Sequence, residues 1–196
     1  MAKYQINEIF YSLQGEGRWT GRPAVFVRFS GCNLACPFCD TDFHSHKTLT
    51  AEEIIDECRE VGANCSSIIL TGGEPTLQVD DSLIGALHKA GYWIAMETNG
   101  THPYPKEIDW VTCSPKAAFV KGGEIKIGKA DELKLVFDGT SEIRDLGLDA
   151  TYHYLQPCDT GNAERNQEIL KRCIAYIKKH PQWSLSLQMH KLVGIQ

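Results

Sequence analysis

The sequence predicts an α/β protein built on a largely parallel sheet that closes only part of the way into a barrel. Three observations predict it. Short, apolar, β-prone runs alternate along the chain with segments of helical periodicity, the pattern of parallel strands joined by crossovers. Some connections, such as residues 99–109, are too short for a full helix. The 196 residues also fall short of a complete eight-fold barrel, which usually takes roughly 200 or more and typically about 250. The expectation is an incomplete TIM-type barrel of about six core parallel strands with some helices missing. One domain spanning residues 1–196 is expected for this length.

The elements follow in order. Residues 24–29 are apolar and β-prone and form the first core strand. Thr50 and Glu53 make a capping box that opens a helix, whose Ile54, Ile55, Cys58 and Val61 recur at helical spacing and should be buried. Residues 68–71 read as a buried strand, and a second helix over about 81–90 ends at Gly91. Further strands fall near 92–97, 110–113, 132–137 and 152–156. A long helix over about 163–180 should bury Ile169, Leu170, Cys173, Ile174 and Ile177 before Pro181 stops it. Residues 185–188 are a last strand candidate.

Charge and hydropathy narrow the function classes. The net charge is −5 and no Lys/Arg-rich block exists, so neither a nucleic-acid footprint nor a polybasic membrane patch is present. No apolar run is long enough to span a bilayer. Lys3, Gln5, Asn7 and Glu8 interrupt the first ten residues, which carry no signal-peptide core. A cytoplasmic protein acting on a small molecule is expected, without nucleic-acid or membrane partners.

Eight cysteines without a secretion signal point to metal or redox chemistry rather than a disulfide framework. Cys58, Cys65, Cys113, Cys158 and Cys173 are scattered and read as small buried hydrophobes with no metal-ligand role. Cys32, Cys36 and Cys39 form a C-x3-C-x2-C motif just after the first core strand. Three thiolates at this spacing can ligate three irons of a [4Fe–4S] cluster and leave the fourth open to a cofactor or substrate. The alternative is structural zinc with His44 or His46 as fourth ligand, although zinc sites commonly use paired C-x2-C arms and no second arm exists.

The remaining polar motifs all follow predicted strands, where chemistry gathers in such folds. They are Thr71-Gly72-Gly73-Glu74-Pro75, Glu97-Thr98-Asn99, Ser114-Pro115-Lys116 and Gln156-Pro157-Cys158-Asp159. The glycine pair lets backbone approach a ligand closely. Singly, each is a polar turn or a strand-end ion pair; together they argue for one shared site.

The cysteine spacing and the Gly-Gly-Glu-Pro element resemble the radical S-adenosylmethionine superfamily. That resemblance implies a [4Fe–4S] cluster on Cys32, Cys36 and Cys39. It also implies S-adenosylmethionine held by Phe38, Cys39, Asp40, Gly73, Glu97, Ser114, Pro115, Lys116, Gln156, Pro157, Cys158 and Asp159. Three further stretches narrow it: residues 10–17, residues 21–29 with Cys39-Asp40-Thr41-Asp42, and the late His180-Pro181-Gln182-Trp183 with Leu187-Gln188-Met189-His190-Lys191. From about residue 6 to 196 the chain resembles the 7-carboxy-7-deazaguanine synthase family of queuosine and 7-deazapurine biosynthesis. Some members have a much longer loop between the first two cysteines; here it is compact.

The family converts 6-carboxy-5,6,7,8-tetrahydropterin to 7-carboxy-7-deazaguanine and ammonia by a radical ring contraction that a 5′-deoxyadenosyl radical starts. No catalytic side chain is implied, since the cofactor performs the hard step. Leu13, Gln14, Gly15 and Thr71 would contact the pterin. Arg28, on the strand face of Ala24 and Phe26, would grip its carboxylate with two hydrogen bonds; the alternative is an internal ion pair with Glu16. Thr41 would bind Mg²⁺ through its hydroxyl, with substrate oxygens and water completing the octahedron. Gln196 would offer its terminal carboxylate, with Leu192, Val193 and Ile195 docking the tail by apolar contact. A homodimer and a flavodoxin or ferredoxin as electron donor are further implications. Another radical S-adenosylmethionine enzyme, such as a glycyl-radical-enzyme activase, remains an alternative, as does an iron–sulfur redox sensor.

Overall fold

A computed structural model describes residues 2–42, 45–144 and 146–196. His44, one of the two candidate zinc ligands, lies outside the described residues; His46 is exposed. The elements run β1 (Tyr4–Leu13), β2 (Pro23–Phe29), β3 (Lys47–Leu49), α1 (Ala51–Val61), β4 (Ser67–Gly72), α2 (Asp81–Lys89), β5 (Trp93–Thr98), β6 (Trp110–Cys113), β7 (Lys129–Phe137), β8 (Asp149–Pro157), α3 (Ala163–Lys179), β9 (Ser184–Leu185) and α4 (Met189–Val193). Among the described residues the strands form one sheet in the order β3-β1-β2-β4-β5-β6-β7-β8-β9.

From β2 to β9 every neighbouring pair is parallel, whereas β1 runs antiparallel to both β2 and β3. The connections β5–β6, β6–β7 and β7–β8 carry no α-helix among the described residues. This is the partial barrel that the sequence predicts. Among the described residues, no helix is long and apolar enough to cross a membrane.

Each strand presents two faces. Val25, Val27 and Phe29 of β2 join Ile68 and Leu70 of β4 in the main core, together with Ile54 and Cys58 of α1 and Leu83 and Leu87 of α2. The opposite face holds a smaller cluster of Ala24, Phe26, Ile69 and Ala95, with Phe10, Trp93 and Trp110 against it. That concave face carries the site.

Local chemistry sets the helix ends. Thr50 Oγ1 accepts the Glu53 amide at 3.3 Å and Glu53 Oε2 accepts the Thr50 amide at 2.7 Å, completing the predicted capping box. Asp80 caps α2 through the Leu83 amide at 2.9 Å and also accepts the Tyr4 hydroxyl at 2.8 Å. Gly91 follows α2 at φ +91, the left-handed conformation that ends helices.

Three expectations need correction. Val61 is 40% exposed rather than buried; the chain meets Val25 at Gly62 instead, where a Cβ would overlap the valine Cγ2. Ile174 is also 40% exposed, because Cys173 takes the sheet-facing direction and the next residue is turned about 100° away. The last strand is only Ser184–Leu185, since residues 186–188 turn to bond Gln156 and Glu16. In addition, β1 and β3 are strands that the pattern of apolar residues does not announce. In β1 the pairing with β2 slips between Ile6 and Glu8, a bulge that moves its apolar residues from one parity to the other.

The β1–β2 connection folds inward across the concave face. Trp19 lies edge-on against Trp93 and Trp110, the first residues of β5 and β6, with ring centroids at 5.3 and 5.1 Å. Higher up, Gly17 (φ +65) donates to Ser186 Oγ at 3.0 Å, and the Arg18 amide to Glu132 Oε2 at 2.9 Å. The Met189 amide donates to Gly15 O at 3.0 Å, so the tail and this loop cross the barrel mouth together.

Candidate functional site: two joined clefts over the strand ends

The cysteine loop leaves β2 through Gly31, at φ +86. It is bonded to the glycine turn after β4: the Glu74 amide donates to Gly31 O at 2.9 Å and the Gly73 amide to Phe29 O at 3.0 Å. A Cβ on Gly73 would overlap the Gly31 carbonyl, so only glycine permits this approach. Glu74, 1% exposed, braces the turn to the end of β5 by accepting Thr98 Oγ1 and the Asn99 amide, both at 2.7 Å.

Cys32, Cys36 and Cys39 line one cleft. The same cleft is lined by Phe38, Asp40, Gly73, Glu97, Ser114, Lys116, Gln156, Pro157, Cys158 and Asp159. Pro115 alone of the predicted cofactor residues lies elsewhere, in a groove with Phe119 and Phe137. Phe38 packs edge-on against Phe119 at 4.8 Å. Burial pushes the Cys32 and Cys36 thiols up, and the charge of neighbouring cysteines adds to the effect. The Leu34 amide points at Cys32 Sγ at 3.4 Å. Three clustered thiolates would therefore be stabilised by a shared cationic centre with an amide donor at hand, a donor set that fits an iron–sulfur cluster. Among the described residues no group of three or more His, Cys, Asp and Glu side chains is placed to hold a single metal ion.

A second cleft of about 660 Å³ adjoins the first, within the usual range of small-molecule sites. Leu13, Gln14, Gly15, Arg28, Thr41, Thr71 and Gln196 all line it. Glu16, Asp40, Thr41, Thr71, Glu97 and Gln188 border both clefts, so the two open into each other.

Below the junction lies a buried charge network that sequence reasoning missed. Lys134 Nζ donates to Glu16 Oε2 at 2.5 Å and to Glu97 Oε2 at 2.8 Å. Gln14 Nε2 donates to Glu97 Oε1 at 3.0 Å, and Gln156 and Gln188 donate to Glu16 Oε1. Burial opposes the charge on Lys134, but Glu16 and Glu97 carry its pKa well above the ordinary value. Burial likewise opposes the Glu16 charge, yet the ammonium holds that carboxyl below the usual range. The signal was present in β7: Glu132 and Lys134 stand two apart in a buried strand and so share its inner face. Lys116, half-buried, donates to Ser114 O and Oγ at 2.5 and 2.6 Å, and desolvation pushes its pKa down.

Glu132 is 1% exposed, and its Oε1 has no hydrogen-bond partner. Burial, then the Glu97 charge, push its pKa to about 7. The unfolded carboxyl ionises at about 4.3, so stability is lost as pH rises from there to about 7 and changes no further above it. The loss amounts to about 3 kcal/mol. Glu132→Gln cannot ionise, so thermal melts should show its stability rising relative to wild type by about that amount from pH 4.5 to 7.5. A constant difference across that interval would show that Glu132 is already ionised at the lower pH.

Two tail and clamp expectations are corrected. Arg28 forms an ion pair, but with Glu8 (2.6 Å) and not Glu16, which Lys134 occupies. Leu192 and Val193 are 71% and 59% exposed, so apolar packing does not dock the tail. Polar contacts hold it instead. Lys191 bridges Asp40 at 2.7 Å and Asp159 at 2.9 Å, Ser12 Oγ donates to Gln196 O at 2.6 Å, and Gln196 Nε2 donates to Glu8 Oε2 at 2.7 Å.

The signature of the radical SAM superfamily matches residues 26–180. The 7-carboxy-7-deazaguanine synthase of Bacteroides thetaiotaomicron is 50% identical over 193 residues, 98% of each chain. The enzyme of that name from Caulobacter vibrioides is 41% identical over 98% of this chain and 99% of its own. QueE from Escherichia coli superposes with a TM-score of 0.77 at 26% identity, covering 96% of this chain and 95% of that one. With cysteine loop, glycine turn and full-length similarity in agreement, the chain belongs to the radical SAM superfamily and, within it, to the 7-carboxy-7-deazaguanine synthase family.

Proposed function

We propose that the chain converts 6-carboxy-5,6,7,8-tetrahydropterin to 7-carboxy-7-deazaguanine with release of ammonia, as a carbon–nitrogen lyase of the radical type. One observation carries this reading: the cleft lined by Leu13, Gln14, Gly15, Arg28, Thr71 and Gln196 opens directly into the cleft lined by the three cysteines. The name shared by the similar full-length relatives supports it.

Cys32, Cys36 and Cys39 would hold the cluster. S-adenosylmethionine would lie along Phe38, Gly73, Glu97, Ser114, Lys116 and the 156–159 strand end. When bound there, cluster and cofactor supply a one-electron cleavage that yields a carbon radical able to take hydrogen from substrate. The chain's own work is orientation and shielding. Arg28 meets the substrate carboxylate with a planar fork of donors. Gln14, held by Glu97 at 3.0 Å, and the backbone at Gly15 fix the pterin edge. Gln196, which lines the same cleft as Arg28, adds a further polar contact. The Lys134 ammonium keeps Glu16 ionised and bonds Glu97 where the two clefts join. One domain over residues 1–196, a homodimer, a cytoplasmic location and a flavodoxin or ferredoxin donor complete the reading.

Thr41 borders both clefts and would hold Mg²⁺ with water and substrate oxygens. Anaerobically reconstituted protein, given S-adenosylmethionine, a reductant and the tetrahydropterin acid, should form 7-carboxy-7-deazaguanine faster with Mg²⁺ than with a chelator. Thr41→Ala should lose that dependence while keeping its iron. Cofactor cleavage without the deazaguanine product would assign the cleft to another substrate, and equal rates with and without chelator would remove the metal.

A further inference from the structure

Glu8 is a charged residue on a strand that the sequence did not announce, and the function proposed so far leaves it unused. The bulge between Ile6 and Glu8 turns Glu8, Phe10 and Ser12 together onto the concave face. There Glu8 stands directly opposite Arg28 in the ladder. Its two oxygens serve two different elements: Oε1 accepts Arg28 Nε at 2.6 Å, and Oε2 accepts Gln196 Nε2 at 2.7 Å. Phe10 lies under the guanidinium, with 5.6 Å from Cζ to the ring centroid, and Ser12 Oγ donates to Gln196 O at 2.6 Å. One face of β1 thus grips both Arg28 and Gln196.

We infer that Glu8 is the positioning residue of a carboxylate clamp, fixing Arg28 and Gln196 as one unit so that the guanidinium presents its Nη edge to a carboxylated ligand. The inference rests on the reading that this cleft takes a pterin carboxylate. Guanidinium has five donors in a rigid plane, and anchoring the Nε side leaves the Nη pair as the fork that matches a second carboxylate. An arginine already held needs little further ordering when the ligand arrives. Glu8 also opposes that ligand by its charge. The clamp requires that positioning outweigh this repulsion, so the sign of a Glu8 substitution decides the matter.

The test uses reconstituted protein with S-adenosylmethionine and two non-reacting probes, pterin-6-carboxylate and pterin without the carboxylate, with binding followed by calorimetry. Glu8→Ala should weaken pterin-6-carboxylate at least tenfold and change unsubstituted pterin less than twofold. Arg28→Ala should do the same, and the double variant should be no weaker than Arg28→Ala alone. Iron content and melting temperature, measured alongside, should stay near wild type. Equal weakening of both probes would show that Glu8 only supports the strand, and tighter binding of the carboxylate would make Glu8 a competitor for Arg28; either overturns the clamp. Wild type that prefers the carboxylated probe while Glu8→Ala is unaffected refutes the clamp alone. Wild type that binds neither probe refutes the pterin reading and the clamp with it.

Discussion

Alanine at Cys32, Cys36 or Cys39 should abolish the iron–sulfur cluster outright, while Cys173→Ala should keep it. The first three thiols line a single cleft at the carboxyl ends of the strands. Each would serve one iron, and the three belong to one short loop, whereas Cys158, which lines the same cleft, sits on the end of a different strand. Cys173 is 0% exposed in the core against β8, where it packs as a small hydrophobe, so its loss costs stability rather than iron. Anaerobic reconstitution should give about four irons and an equal amount of acid-labile sulfide per wild-type or Cys173→Ala chain. The other variants should give less than about a tenth of that, with turnover below detection. One zinc per chain and no sulfide would refute the cluster; full iron in any one of the three alanine variants would exclude that cysteine as a ligand.

Lys134→Met should lower the melting temperature by roughly 10 °C. Its Nζ joins Glu16 and Glu97 at 2.5 and 2.8 Å, and its side chain is 5% exposed. Methionine fills the volume but strands buried carboxylates, a change that costs about 3–5 kcal/mol. In a chain of this size each kcal/mol is worth about 2–4 °C. The sign with pH follows. In wild type the ammonium holds the Glu16 carboxyl below the usual range, a stabilisation present above the unfolded pKa and lost as pH falls, so the variant's deficit against wild type should be smaller at pH 4.5 than at pH 8. Thermal melts on protein without its cluster read this directly. A deficit under about 2 °C at pH 8 would mean that Lys134 is not the counter-charge of this network.

The local signals were legible wherever one short stretch of chain decides the outcome. Thr50 and Glu53 cap α1 by themselves, because both partners lie within a single turn. The core strands of residues 24–29 and 68–71 announce themselves through apolar residues on both faces, one face packing on α1 and α2 and the other against Phe10, Trp93 and Trp110 inside the barrel. β1 was hidden by its bulge: Tyr4 and Ile6 face the main core, and Ile9 then resumes that face one residue out of phase. β3 has only three residues and exists because β1 offers it an edge. Glu8 and Lys134 carried no motif, since their partners lie 20 and 118 residues away in sequence. The tail's anchors are hidden from the sequence for a related reason. Its apolar spacing invited packing, whereas its anchors are hydrogen bonds and ion pairs to Gly15, Asp40, Asp159, Ser12 and Glu8.

The sequence by itself determined the cysteine spacing, the strand-end motifs and the alternation that makes a partial parallel barrel. These depend on covalent distance and on periodicities of two and 3.6 residues, which a chain carries before it folds. Only the tertiary structure decided which strand ends share a cleft, that the β1–β2 loop and the tail close the mouth together, and that Arg28 answers to Glu8 while Glu16 answers to Lys134. Burial strengthens each charge pairing and makes any unpaired charge costly, and burial exists only once distant segments have met.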